Sequence, residues 1–259
     1  MQNQFSRTQL LLGEEAMAKL ATSRVAVFGI GGVGGYVTEV LARSGVGAID
    51  IIDNDTVCES NLNRQIIALH STIGRKKVDV MEERIRDINP ACKVTKHPVF
   101  YLPESHLETN GFEPINLDFT TYDYVVDCID TITAKIDLVC QCHKAGTPIL
   151  SSMGAANKMD PTAFRVADLF QTSIDPLAKI LRKKLRKMGI TQLKVVYSEE
   201  VPLTHATATP ANQTESTADS ATKSHRPIPA SNAFVPAAAG LIAGGEVVKD
   251  LISWQANTH

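Results

Sequence analysis

Residues 29–34 read GIGGVG, and a strand-like run, RVAVF (24–28), leads straight into them. Gly29, Gly31 and Gly34 satisfy the G-x-G-x-x-G spacing between a strand and a helix, where backbone N–H groups and the helix dipole favour a phosphate. Such a turn serves a dinucleotide or a triphosphate equally. The turn alone does not name the ligand.

Beyond the turn, strand and helix signals alternate up to about residue 152, the pattern of a mostly parallel sheet with right-handed crossovers. Val25–Phe28 is the first strand, and Gly34–Ser44 is a helix with Val37, Val40 and Leu41 on one face. AIDIID (48–53) is the second strand, with Asp53 at its carboxyl end. GRKKVDVMEERIRDINP (74–90) is an amphipathic helix stopped at Pro90, CKVTKHPVF (92–100) a third strand, and YDYVVDCID (122–130) a buried fourth strand. A helix over 131–146, closed by Gly146, and the strand TPILSS (147–152) complete this half.

In the second half TAFRVADLF (162–170) and LKVVYSEE (193–200) read as strands that extend the same sheet. They flank the helix DPLAKILRKKLRKMG (175–189), with Asp175 as N-cap, Pro176 at its first position and Gly189 as its stop. Residues 202–231 are rich in Thr, Ala, Ser and Pro without apolar periodicity and read as a long mobile loop. The chain closes on NAFVPAAAGLIAGGEVVKDLI (232–252), apolar nearly all round up to Gly245, a helix for the core or for a subunit interface. The fold class is a Rossmann-like, doubly wound α/β sheet with helices on both faces. Residues 1–152 form its nucleotide-binding core and 153–259 a substrate-side extension of the same domain.

With 259 residues and 44% hydrophobic content the chain can bury one sizeable core. A net charge of −2 excludes a uniformly basic nucleic-acid binder and leaves room only for a local basic patch. The helix at 175–189 supplies one, in Lys179, Arg182, Lys183, Lys184, Arg186 and Lys187, with Ile180, Leu181 and Leu185 expected to anchor its other face. No stretch has the form of a signal peptide or a membrane span, so a cytoplasmic protein is expected. Five cysteines without paired C-x-x-C spacing suit a reducing compartment and argue against structural zinc. The last of them is Cys142, which removes a thiol nucleophile from the final part of the chain.

The residues after Asp53 decide between the ligands. Asn61, Asn63, Arg64 and Gln65 lie on the loop after the second strand and Lys77 on the next helix, fixed cations and donors that a triphosphate requires. Asp130, at the mouth of the fourth strand, can hold Mg²⁺ together with phosphate oxygens. Ser151, Gly154 and Asn157, near the end of the fifth strand and past it, are substrate-side candidates at the carboxyl edge of the sheet.

GIGGVG, DNDTV (53–57), NLNRQ (61–65), GRKKV (74–78) and DCID (127–130), in this order, resemble the ATP-binding core of the ubiquitin-activating and molybdopterin/thiamine adenylyltransferase superfamily. The resemblance implies that Gly29, Gly31, Gly32 and Gly34 line the phosphates, that Asp53 meets the ribose, and that Asn61, Gln65, Arg64 and Lys77 hold the triphosphate. It implies Asp130 as the metal ligand. Arg7 in FSRTQ (5–9) matches an arginine that reaches into a second subunit's site, which implies a homodimer.

Without paired zinc cysteines or a late cysteine, the chain is similar to the branch that dehydrates threonylcarbamoyladenosine in tRNA, next to the anticodon. The similarity includes residues 61–95 and 159–187. It implies ATP and Mg²⁺, with Na⁺ or K⁺ as a further cation, and admits a sulfur-relay protein as a partner beside tRNA. The alternatives are an adenylyltransferase for a ubiquitin-like sulfur carrier, an NAD-dependent oxidoreductase and a catalytically silent tRNA-binding module.

Overall fold

The computed structural model describes residues 3–103, 115–204 and 229–255. Most of the long loop expected at 202–231 lies outside the described residues. Seven strands form one sheet: β1 Arg24–Phe28, β2 Ala48–Ile52, β3 Lys93–His97, β4 Tyr124–Asp127, β5 Ile149–Ser152, β6 Phe164–Asp168 and β7 Lys194–Ser198. Their order is β3-β2-β1-β4-β5-β7-β6. Every neighbouring pair is parallel except β6 with β7.

The central strands are apolar on both sides, as a parallel sheet covered on both faces requires. Along β1, Val25 and Val27 enter one core while Ala26 and Phe28 enter the opposite one. Helices α1 Ser6–Leu12 and α2 Glu14–Thr22 precede the sheet; α3 Gly34–Arg43, α4 Lys77–Ile88, α5 Ile132–Ala145, α6 Pro176–Lys187 and α7 Val235–Leu251 come after its first strand. Side chains of α3, α4 and α7 pack on one face, and those of α5 and α6 on the other.

Of the two places the sequence allows the terminal helix, the core and a subunit interface, the structure shows the first. Val235, Ala239, Ala243, Val247 and Leu251, spaced at i+4, are buried in the chain's own core. Helices α7 and α3 approach so closely that a Cβ on Gly244 would lie 2.7 Å from Val40 Cβ. The apolar character of α7 is thus largely used within the fold.

Helix α6 begins as its sequence dictates: the Asp175 carboxylate accepts the Ala178 N–H at 2.9 Å, and Pro176 opens the first turn. Leu181 and Leu185 are buried, but Ile180 is exposed, a correction to the expected anchor. Residues 180 and 181 are about 100° apart on a helix, so both cannot face the core fully.

Candidate active site

The winding of the sheet reverses between β1 and β4, and there the loops beyond their carboxyl ends part to leave a cleft. Its volume is about 660 Å³. Gly29, Gly31 and Gly32 floor it, Asp53, Asn61, Arg64, Gln65 and Lys77 form one wall, and Asp130 stands at the β4 tip. Gly154, Ala155, Ala156, Leu177, Pro229 and Ser231 also line it.

The glycine turn is held from two sides. Gly29 adopts φ +85°, and a Cβ there would lie 2.8 Å from the Cys128 carbonyl, so only glycine fits this crossing of the β1 and β4 loops. Asp53 accepts the Ile30 N–H at 2.7 Å and the Asp55 N–H at 2.8 Å. The carboxylate therefore fixes the shape of the turn and keeps lone pairs for a ligand.

A short 3₁₀ turn, Glu59–Asn61, aims the NLNRQ side chains. Asn61 Oδ1 accepts the Cys58 N–H at 3.1 Å, and its backbone carbonyl accepts the N–H groups of Arg64 and Gln65. Arg64 Nη1 donates to Ser60 O and to Asn63 Oδ1, each at 2.9 Å. Both partners are neutral, so among the described residues no carboxylate compensates the guanidinium. Gln65 is buried, and its Oε1 has no hydrogen-bond partner among the described residues. An unpaired buried amide oxygen beside a cleft is costly unless a ligand or water completes it.

Lys77 opens α4 and is buried, with Nζ 2.7 Å from Asp55 Oδ2 and 4.0 Å from Asp53 Oδ2. Asp55, absent from the sequence-derived candidates, thus holds the lysine extended, and its own side chain is 58% exposed. Asp130 is exposed, and the Thr131 hydroxyl donates to it at 3.4 Å. It does not cap α5. The described residues contain no group of three or more His, Cys, Asp or Glu suited to a metal ion. Asp130 alone fits a magnesium that takes most of its oxygens from phosphate and water.

The ThiF family profile matches residues 5–255. The chain belongs to the ThiF family. A relative from Bacillus subtilis, tRNA threonylcarbamoyladenosine dehydratase, is 46% identical over 97% of this chain and 96% of its own length. The E. coli tRNA N6-threonylcarbamoyladenosine dehydratase, solved in complex with AMP and with ATP, is 33% identical. In both complexes the likeness covers 96% of this chain and 94% of the E. coli chain, with a TM-score of 0.79.

In this ThiF-family cleft, Gly29, Gly31, Gly32, Asp53, Asn61, Arg64, Gln65, Lys77 and Asp130 come together as expected from the sequence. Other candidates do not join them. Gly34 packs behind the turn, where a Cβ would lie 1.8 Å from the Gly29 carbonyl. Ser151 is buried and donates to Asp127 Oδ2 at 2.5 Å, so its hydroxyl serves the interior. Arg7 is exposed on α1 and does not line the cleft of its own chain. Cys128 borders the cleft, but burial pushes its thiol up to about 12, with Asp127 adding to the shift, so it stays protonated near neutrality.

The basic face of α6 lies largely free. Arg182 Nη1 donates to the Thr172 carbonyl at 2.7 Å and also to the Thr172 hydroxyl, and Arg186 stacks over Phe170 at 5.4 Å. Lys179, Lys183, Lys184 and Lys187 are exposed, with no carboxylate in ion-pair range among the described residues.

Proposed function

We propose that this chain is an ATP-dependent dehydratase that closes a ring in threonylcarbamoyladenosine of tRNA, next to the anticodon, after adenylating the threonine carboxylate. The observation that carries this reading is the convergence of Arg64, Gln65, Lys77 and Asp130 on one glycine-floored cleft. The near full-length likeness to the B. subtilis dehydratase supports the choice of substrate.

A carboxylate oxygen is a poor leaving group, so direct ring closure is slow. Attack of that oxygen on the α-phosphorus of ATP releases pyrophosphate and leaves AMP on the carboxyl carbon. The carbamoyl group of the same side chain then attacks that carbon, and AMP departs. Holding nucleophile and electrophile in one side chain supplies the proximity, so no enzyme nucleophile is needed. The protonated Cys128 and the absence of cysteine after Cys142 are in keeping with that chemistry.

In this reading Gly29, Gly31 and Gly32 admit the phosphates to backbone N–H groups, and Asp53 accepts from the ribose. Asn61 and Gln65 orient the triphosphate, and Arg64 and Lys77 stabilise the charge developing toward pyrophosphate. Mg²⁺, held by Asp130, would add charge neutralisation at the phosphates. A homodimer suits the exposed start of the chain: Leu10 and Leu11 on α1, beside Arg7, are 88% and 82% exposed. The lysines of α6 offer tRNA a phosphate-binding face.

Mass spectrometry of threonylcarbamoyladenosine-bearing tRNA incubated with enzyme, ATP and Mg²⁺ tests the reading. Loss of one water, dependent on ATP and absent in Asp130→Ala, is expected. Unchanged tRNA together with adenylation of a ubiquitin-like C-terminus would overturn it in favour of a sulfur-carrier enzyme.

A further inference from the structure

Asn63, expected among the triphosphate donors, and Asn157, expected on the substrate side, do not line the cleft themselves but bond to a segment that does. Asn157 lies past the end of β5 and adopts φ +59°, a left-handed conformation that asparagine tolerates better than most residues. Its N–H donates to the Ala230 carbonyl at 2.8 Å, and its own carbonyl accepts the Leu203 N–H at 2.7 Å. Its side-chain Oδ1 accepts the Ala230 N–H at 2.8 Å. One residue thereby pairs with chain segments on both sides of residues 205–228.

Asn63 grips the same segment from the nucleotide side. Its Nδ2 donates to the Ser231 carbonyl at 3.2 Å while its Oδ1 accepts from Arg64 Nη1 at 2.9 Å. Each end of the amide has one suitable partner, which fixes its orientation. Pro229 and Ser231, on either side of the clasped Ala230, line the cleft together with Ala155 and Ala156. The buried Lys158, next in sequence to Asn157, braces this arrangement. Its Nζ donates to the Gly154 carbonyl at 2.9 Å, and its own carbonyl accepts from Asn232 Nδ2 at 2.9 Å.

We propose that Asn63 and Asn157 are positioning residues that clasp Pro229–Ser231 against the cleft, Asn157 setting the substrate-side wall and Asn63 joining that wall to Arg64. The clasp rests on the dehydratase reading. Its consequence is a division of labour. The side chain of Asn157 fastens the substrate-side segment and should act on tRNA alone, whereas Asn63 also orients a phosphate-side arginine and should act on both substrates.

Steady-state kinetics on modified tRNA and ATP, varied separately, test this with Asn157→Gly, Asn63→Ala and the double variant. Glycine keeps the left-handed backbone available while removing the side-chain acceptor. Asn157→Gly should raise KM for tRNA roughly fivefold, the worth of one hydrogen bond, and leave KM for ATP within about twofold. Asn63→Ala, at an exposed position where misfolding is not expected, should raise both KM values. The double variant should fall short of the product of the single effects, because either loss frees the same segment. A wild-type KM for tRNA in Asn157→Gly with an unchanged melting temperature, or strictly multiplicative effects, would overturn the clasp while leaving the dehydratase intact. A wild-type enzyme that turns over no tRNA would overturn the dehydratase reading, and the clasp's substrate role with it.

Discussion

Lys135 Nζ lies 3.0 Å from Asp127 Oδ2, and neither side chain is more than 1% exposed. The lysine also donates to the Ser152 carbonyl at 2.8 Å, and Asp127 Oδ1 accepts the Ile129 N–H at 3.1 Å. This buried pair ties the tips of β4 and β5 together and shapes the turn that presents Asp130. Lys135→Met leaves Asp127 charged without its partner and should cost about 3–5 kcal/mol in urea unfolding. Adding Asp127→Asn should recover part of that loss, since the unpaired charge is then gone. A double variant no more stable than Lys135→Met would refute the charge explanation.

Strands β1, β2 and β4 are legible because they are short, mostly apolar runs ended by Gly29, Asp53 or Asp127, and the helices carry matching apolar faces. The phosphate wall is legible for a similar reason: NLNRQ is a compact turn, and Asn61, Arg64 and Gln65 all face one cleft. Lys135 is not. In TITAKIDLVC a single lysine among apolar residues looks like a solvent-facing position, and only the fold brings Asp127 and Ser151 beneath it. Arg182 reads as wholly free for the same kind of reason, because its partner Thr172 sits ten residues earlier on a separate turn. Gly34 shows the opposite limit: the motif supplies its spacing, but whether a glycine admits a ligand or a neighbouring carbonyl is a matter of three-dimensional approach.

Two glycines of α7 should respond with opposite signs. A Cβ on Gly240 would lie 2.4 Å from the Val33 carbonyl, so Gly240→Ala should force α7 off α3 and cost roughly 1–3 kcal/mol. Gly245 has nothing within 4 Å of its Cβ position, and Gly245→Ala should stabilise by up to about 1 kcal/mol through helix propensity. Melting temperatures that move in the same direction would show that the contact between α3 and α7 is looser than described.

Acid should unfold the protein partly through Asp50. Burial pushes its carboxyl up, but His97, bidentate Arg24 and the Tyr122 hydroxyl outweigh it and hold the group below its ordinary 3.8. A carboxyl lowered in the folded state contributes stability in full well above 3.8 and loses it as pH falls through the folded value. Asp50→Asn should therefore be less stable at about pH 7 and lose less on acidification. Parallel stability curves from about pH 6 to 3 would contradict this.

Thiol chemistry should be confined to one surface site. Cys58 is exposed, whereas burial pushes Cys92 up to about 11 and Cys128 up to about 12. Brief iodoacetamide treatment at about pH 8 should label Cys58 first by peptide mapping. Cys58→Ser should keep turnover within about twofold, because the backbone N–H of residue 58, and not its thiol, holds Asn61. Early labelling of Cys128 would reopen the case for a covalent intermediate.

The exposed cations of α6 separate tRNA docking from an ordinary solvated face. Lys179, Lys183, Lys184 and Lys187 have no carboxylate partners among the described residues, whereas Arg182 is engaged by Thr172 and helps hold the turn before the helix. A phosphate-binding face releases counterions on docking, so log affinity falls linearly with log salt, with a slope of roughly 0.7–0.9 per phosphate neutralised. Replacing Lys183, Lys184 and Lys187 together by Gln should weaken tRNA binding and flatten that slope by up to about 2–3, while ATP affinity stays unchanged because none of the three lines the cleft. Arg182→Gln is the contrasting variant. Losing its contacts with Thr172 should lower the melting temperature more than any of the lysine changes, with a smaller effect on the slope. An unchanged slope in the triple variant would remove α6 from the tRNA path and assign the contact to another face of the molecule.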